Sequence, residues 1–167
     1  MLKVLHRVAM VALLFGSATL LFSCSKTPKT TIYDHETLMT ESSENRTITM
    51  MENGKRSYIF TTPLIEGYSL ATNPYQEFRR GINMTTYTQD STNLVDATIT
   101  ANYAIYYENR KLWEAKGNVR IVKHDGTKVF TQQLFWNSTT KRIYSNVDTK
   151  IVTADDTHFT EGFESDE

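Results

Sequence analysis

The segment Ile99-Thr100-Ala101-Asn102-Tyr103-Ala104-Ile105-Tyr106 returns 30 residues later as Val129-Phe130-Thr131-Gln132-Gln133-Leu134-Phe135-Trp136. It returns again, 29 residues further on, as His158-Phe159-Thr160-Glu161-Gly162-Phe163. The other half of the unit repeats too. Lys111-Leu112-Trp113 matches Arg142-Ile143-Tyr144, and Arg120-Ile121-Val122 matches Lys150-Ile151-Val152. A period of about 30 with a hairpin in each unit describes antiparallel β units stacked edge to edge.

Outward from this repeat, strands or bent pairs of strands are expected at 57–62, 82–88, 97–107, 111–122, 127–136, 142–152 and 158–163. Turn chemistry separates them at Asn53-Gly54, Glu108-Asn109-Arg110, His124-Asp125-Gly126, Asn137-Ser138-Thr139 and Ala154-Asp155-Asp156. Pro63, Pro74 and Gly81 punctuate an irregular stretch between the first two. Alternation then assigns the faces. Positions 104, 134 and 163 are apolar in all three copies and 106 and 136 are aromatic, so Ala104, Tyr106, Leu134, Trp136 and Phe163 are expected to face inward. In the other half-unit Glu114, Lys116, Asn118 and Arg120 are polar, which puts Trp113, Ala115, Val119 and Ile121 inside.

Composition agrees with an all-β chain. Of 167 residues, 25 are Thr, 9 Tyr and 8 Phe, against 3 Pro; such residues suit pleated, half-buried strands. The hydrophobic content of 40% is too high for disorder. Removing residues 1–23 as a signal peptide leaves 144 residues with 16 basic and 19 acidic side chains. A charge near −3 with no basic stripe speaks against a nucleic-acid partner.

That signal peptide is read from Lys3 and Arg7, an apolar run from Val8 to Phe22, and Leu21-Phe22-Ser23-Cys24, which resembles a bacterial lipobox. Cys24 is the only cysteine, so it has no intramolecular disulfide partner. Its expected role is lipidation. Diacylation plus an acyl chain on its amine would hold the chain firmly on a membrane. Residues 24–50, poor in apolar side chains, are expected to form a lipidated flexible tether, with one short helix near His35–Met39, and residues 51–167 the folded domain.

The residues along that domain resemble the LptC family. Pro74-Tyr75-Gln76-Glu77-Phe78-Arg79-Arg80-Gly81 is similar to one of its segments. Tyr103–Glu108 followed by Leu112–Val119, with its Ala115-Lys116-Gly117-Asn118-Val119 hairpin, is similar to its most recognisable stretch. Gln132–Trp136, Lys141–Ser145 and Glu161–Asp166 extend the likeness over residues 50–167. The resemblance implies a single β-jellyroll, open along one side. Such a domain takes lipopolysaccharide from an inner-membrane export ABC transporter and passes it to the next periplasmic jellyroll of a bridge. It implies a periplasmic location, lipid-anchored to the inner membrane, and no catalysis or cofactor. Ala104, Tyr106, Trp113, Ala115, Val119, Ile121, Leu134 and Trp136 would line the lipid trough. Tyr58 and Phe60 would mark the edge towards the transporter, Thr160 and Phe163 the edge towards the downstream jellyroll. Two departures stand out: a lipobox in place of the family's transmembrane helix, and a last residue, Glu167, where similar sequences run on.

Enzymatic readings find little support. His124-Asp125 sits in a turn with no Gly-x-Ser-x-Gly serine. Asp155, Asp156, His158 and Glu161 match no metal-binding spacing, so no metal is expected. The cations at 79–80, 110–111, 116, 120 and 141–142 read as a solvated face. No pair of convergent carboxylates suggests a carbohydrate-active enzyme. The competing reading is a periplasmic lipoprotein that uses its strand edges only to bind protein, as an assembly or adhesion module.

Overall fold

The structure, a computed structural model, describes residues 33–90 and 92–166. The signal peptide, the lipobox and Cys24 lie outside the described residues. Those described form an all-β domain without a helix: β1 (Glu41–Glu52), β2 (Lys55–Tyr68), β3 (Tyr75–Phe78), β4 (Ile82–Tyr87), β5 (Val95–Ala101), β6 (Tyr103–Tyr107), β7 (Leu112–Lys123), β8 (Lys128–Asn137), β9 (Arg142–Ser145), β10 (Thr149–Val152), β11 (Thr157–Thr160) and β12 (Phe163–Asp166).

These strands are eight passes of the chain, each bent near its middle. β1, β2, β7 and β8 run through the bend, whereas β3–β4, β5–β6, β9–β10 and β11–β12 are pairs broken at it. Every pass pairs antiparallel with the passes before and after it. The result is one meander folded along a crease, a β-jellyroll with two arms. The first arm holds β4, β5, β10 and β11; the second holds β3, β6, β9 and β12; the four long strands cross between them. The bent pairs expected at 97–107 and 142–152 are β5–β6 and β9–β10.

Local chemistry makes the crease. Gly81, between β3 and β4, has φ +86, and a Cβ there would sit 2.8 Å from the Ala101 carbonyl. Gly162, between β11 and β12, has φ +131, and its Cβ would meet the Ser145 carbonyl at 2.7 Å. Only glycine allows both the backbone angle and the close approach. Where the sheets part, carbonyls lose their ladder partners, and side-chain hydroxyls replace them. Thr62 Oγ1 donates to the carbonyls of Gly81 (2.8 Å) and Leu64 (3.0 Å), Thr131 Oγ1 to Asp148, Thr149 Oγ1 to Val147 and Thr160 Oγ1 to Gly162. Thr62, Thr131, Ser145 and Thr149 are accordingly buried although polar.

Two expectations are corrected. Residues 41–50, assigned to the tether, belong to β1, which runs beside β2 from Glu41↔Gly67 to Glu52↔Lys55. Its side chains gave no sign of this, since only Ser43 and Ile48 are even half-buried. Backbone hydrogen bonds hold it, and they leave no mark in composition. The helix expected near His35–Met39 is instead a turn at 35–37. The Glu36 N–H donates to Asp34 Oδ1 (3.0 Å) and the Thr37 hydroxyl to Asp34 Oδ2 (3.1 Å). Asp prefers such local bonds to a helix interior.

Candidate functional site

The inward faces of the two arms meet in one apolar layer. On the first arm a row of directly paired residues crosses all eight passes: Ile48, Phe60, Met84, Ile99, Ile121, Val129, Ile151 and, last, His158. On the second arm Phe78, Ala104, Ala115 and Leu134 form a parallel row, and Tyr106, Trp113, Trp136 and Ile143 another.

The N-terminal half of this layer is filled with rings. Phe60 meets Phe78 (centroids 5.6 Å apart) and Trp113 (5.4 Å), both edge to face. Trp113 stacks at a tilt on Phe78 (5.3 Å) and Tyr106 (4.7 Å). The Trp113 indole N–H finds no acceptor in this cage, a desolvated donor that costs about 1–3 kcal/mol. The C-terminal half is not filled. A cavity of about 220 Å³ opens there between Ala97, Ile99, Ile121, Val129 and Ile151 of the first arm and Trp136, Ile143 and Phe163 of the second. Asp96, Lys123, Thr127 and Ser165 give it a polar rim. The cavity is smaller than a typical small-molecule pocket of roughly 300–1,000 Å³, so a ligand with several chains requires the arms to part. A second void, of about 20 Å³, lies between Met84, Ile99, Ala104, Trp113, Leu134 and Trp136.

The residues expected to line a trough are all inward: Ala104, Trp113, Ala115, Val119, Ile121, Leu134 and Trp136 are buried, and Tyr106 is half-buried against Trp113. They are not equivalent. Ile121 and Trp136 border the larger cavity. Ala104, Trp113, Ala115 and Leu134 border only the small void, and Tyr106 and Val119 border neither. Ile143, Ile151 and Phe163, absent from the expected lining, complete the larger cavity. The repeat aligned Ile151 with Ile121, so that signal was in the sequence; it aligned Ile143 with Leu112 and set Tyr144 against Trp113, so the inward turn of Ile143 was not.

Polar residues organise the outer face. Glu114 points outward, as alternation requires, yet it is only 7% exposed. Gln133 Nε2 donates to it at 2.6 Å, the Tyr107 hydroxyl at 3.3 Å, and Lys116 Nζ lies at 2.8 Å. Burial pushes its pKa up, but these partners outweigh that and hold it below the usual carboxylate range. On β3, Glu77 accepts from Tyr103 (2.7 Å) and pairs with Arg79 (2.8 Å), which also pairs with Glu66 (2.7 Å). Burial and then the Glu77 carboxylate push the Tyr103 phenol well up. These groups tie β2, β3 and β6 together from outside. Among the described residues no group of three or more His, Cys, Asp or Glu side chains could hold a metal ion, and no helix is long and apolar enough to cross a membrane.

The edges differ from expectation. Tyr58 and Phe60 lie on β2, flanked by β1 and β4 with both rings buried in the core; they are not an edge. Among the described residues the edge strands are β1 at one end and β11–β12 at the other. Thr160 and Phe163 do lie in the latter. In the turn between β10 and β11 the Thr153 N–H donates to the Asp156 carbonyl at 2.9 Å. Alternation of bonded and non-bonded pairs then turns His158 and Thr160 towards β10, and the backbone groups of Thr157 and Phe159 outward.

The profile of a protein family described as OstA-like protein matches residues 72–167, more than half of the chain. No curated protein matches the sequence.

Proposed function

We infer the function from one premise: this chain belongs to the OstA-like protein family. The reading that follows is a periplasmic module of lipopolysaccharide transport that binds and relays lipid rather than transforming it. Its finer form is an LptC-type subunit, held to the inner membrane through Cys24. It takes up the acyl chains of lipid A between its arms, receives the lipid from the export ABC transporter at the β1 end, and hands it to a further jellyroll at the β11–β12 end.

The observation that carries this reading is the apolar row from Ile48 to Ile151, unbroken across seven consecutive passes and opening into a cavity near the far edge. Exposing acyl chains to water costs about 0.8 kcal/mol per methylene, whereas an apolar trough offers them an environment close to that of the bilayer. Such a domain removes a barrier and needs no catalytic group. Edge strands serve the same end, because pairing through free N–H and C=O groups continues one sheet into the next.

Photo-crosslinking in cells tests it. A photoreactive amino acid at Trp136, Ile143 or Ile151 is expected to label lipopolysaccharide, and one at Asn83 or Lys116 on the outer face is not. Equal labelling of both faces, or none, overturns the lipid reading. Capture of protein partners without any lipid adduct would favour the assembly or adhesion module.

A further inference from the structure

The outer face of the C-terminal half carries a pattern that the trough does not use. Four cross-strand neighbours alternate cation and ring: Arg120 on β7 lies opposite Phe130 on β8, Phe130 opposite Lys150 on β10, and Lys150 opposite Phe159 on β11. The Arg120 guanidinium is 5.9 Å from the Phe130 ring centre and the Lys150 ammonium 5.7 Å from that of Phe159. Phe159 is 77% exposed and Phe130 37%. Beside them, one step along the strands, lie Asn118, Gln132, Asp148 and Glu161, and together the two rows line a shallow hollow of about 770 Å³.

A single row of exposed rings and cations would suit several partners, but the pair of rows is selective. Strands spaced 4.7–4.9 Å apart place the two phenyl platforms, like the two cations, about 10 Å from one another. Rings at that interval offer flat apolar faces to the C–H sides of sugars, and Arg and Lys meet phosphate or carboxylate groups. The amides of the second row can donate to and accept from hydroxyls, and its carboxylates accept from them. An anionic bilayer has nothing to offer Asp148 and Glu161, which would repel it; a hydroxyl-rich ligand uses them as acceptors.

Position completes the argument. Arg120, Phe130 and Lys150 each adjoin a residue that faces the trough cavity: Ile121, Val129 and Ile151. The two sites are opposite faces of the same strands, separated by the short edge strand β11. We propose that this outer face binds an anionic saccharide, the phosphorylated sugar part of the same glycolipid whose acyl chains lie between the arms, so that one ligand straddles the free edge. The inference rests on the lipid reading above for the identity of the glycolipid.

The test is titration of the full mature chain with fully deacylated lipopolysaccharide, which keeps sugars and phosphates but has no acyl chains. In parallel, a fluorescent fatty acid reports on the trough. The saccharide is expected to bind the wild-type chain and to bind Phe159→Ala and Lys150→Gln about tenfold more weakly, a change of 1.4 kcal/mol. Fatty-acid binding should be equal in all three proteins, which also shows that the variants are folded. Dephosphorylated saccharide should bind weakly and be indifferent to Lys150→Gln. The proposal is overturned if deacylated lipopolysaccharide does not bind, or binds both variants as it binds wild type. It is equally overturned if vesicles of anionic phospholipid without sugar bind with the same sensitivity to Phe159→Ala. Saccharide binding without fatty-acid binding would sink the trough reading and leave this site standing. The reverse result would sink this site alone.

Discussion

Tyr58 on β2 stands edge-on to Trp136 on β8, with ring centroids 5.2 Å apart and planes at 81°. The two residues belong to opposite arms, and the contact closes the ring-filled half of the interior at the point where the open cavity begins. Trp136 is thus both the wall of the cavity and the end of the aromatic plug. Its removal is expected to join the two voids and to separate stability from capacity. Trp136→Ala should cost about 3–5 kcal/mol of unfolding free energy, measured by urea denaturation, while the folded fraction takes up more fatty acid per chain. Trp136→Phe should lose less on both measures.

The crease glycines are expected to resist substitution for a reason unrelated to packing of the core. Gly162→Ala would force a side chain against the Ser145 carbonyl at 2.7 Å and hold alanine at φ +131. A loss of about 1–3 kcal/mol follows from such strain, with faster amide exchange in β12 and β9, which pair there. Unchanged exchange at Ser145 and Glu164 would show that the bend does not depend on the glycine.

Acid should weaken the fold through carboxylates held in the charged form. Asp90 accepts from the hydroxyls of Thr92 and Thr88 and from the N–H groups of Thr92 and Asn93, and its pKa falls from 3.8 to about 2. Glu114 is lowered too. A folded-state pKa below the unfolded one contributes stability that is complete above the unfolded value and is lost as pH falls towards the folded one. Stability should therefore hold at neutral pH and decline below about 4. Asp90→Asn and Glu114→Gln should flatten that decline while lowering stability at neutrality, as urea midpoints across the range would record.

Two proline substitutions on β11 separate docking from folding. Thr157 turns its backbone N–H to the free side, where the exposed Asp156 carboxylate accepts from it at 2.7 Å. Thr157→Pro therefore loses no bond to β10, should cost less thermal stability than Thr160→Pro, and should abolish pairing with a downstream jellyroll in a pull-down. Thr160 turns its N–H towards β10, so Thr160→Pro removes a bond inside the domain and should cost about 1–3 kcal/mol. If Thr157→Pro captures its partner normally, β11 is not the docking edge.

Cys24→Ala is expected to block lipidation and leave an unprocessed precursor. Intact-mass measurement of the membrane-bound protein decides it: a mature chain beginning at an acylated Cys24 supports the anchor, and a chain retaining residues 1–23 refutes it.

Much of this was written in the chain itself. A period near 30 encodes pairs of bent antiparallel passes, and the shared apolar positions 104, 134 and 163 encode the inward face, because side-chain alternation is a local property of extended backbone. The clustering of glycine and threonine at the bends is local as well. Other features required the fold. β1 is held by backbone bonds to β2, which no side-chain pattern announces, so its polar sequence read as a tether and the edge was misplaced onto Tyr58 and Phe60. Glu114 looks like a surface residue until Tyr107 and Gln133 arrive from the neighbouring passes to cover it. Nothing in the sequence divides the interior into a plugged half and an open half. That depends on which rings of one arm meet which rings of the other, as Tyr58 meets Trp136, and such contacts exist only once the crease has set the two arms face to face.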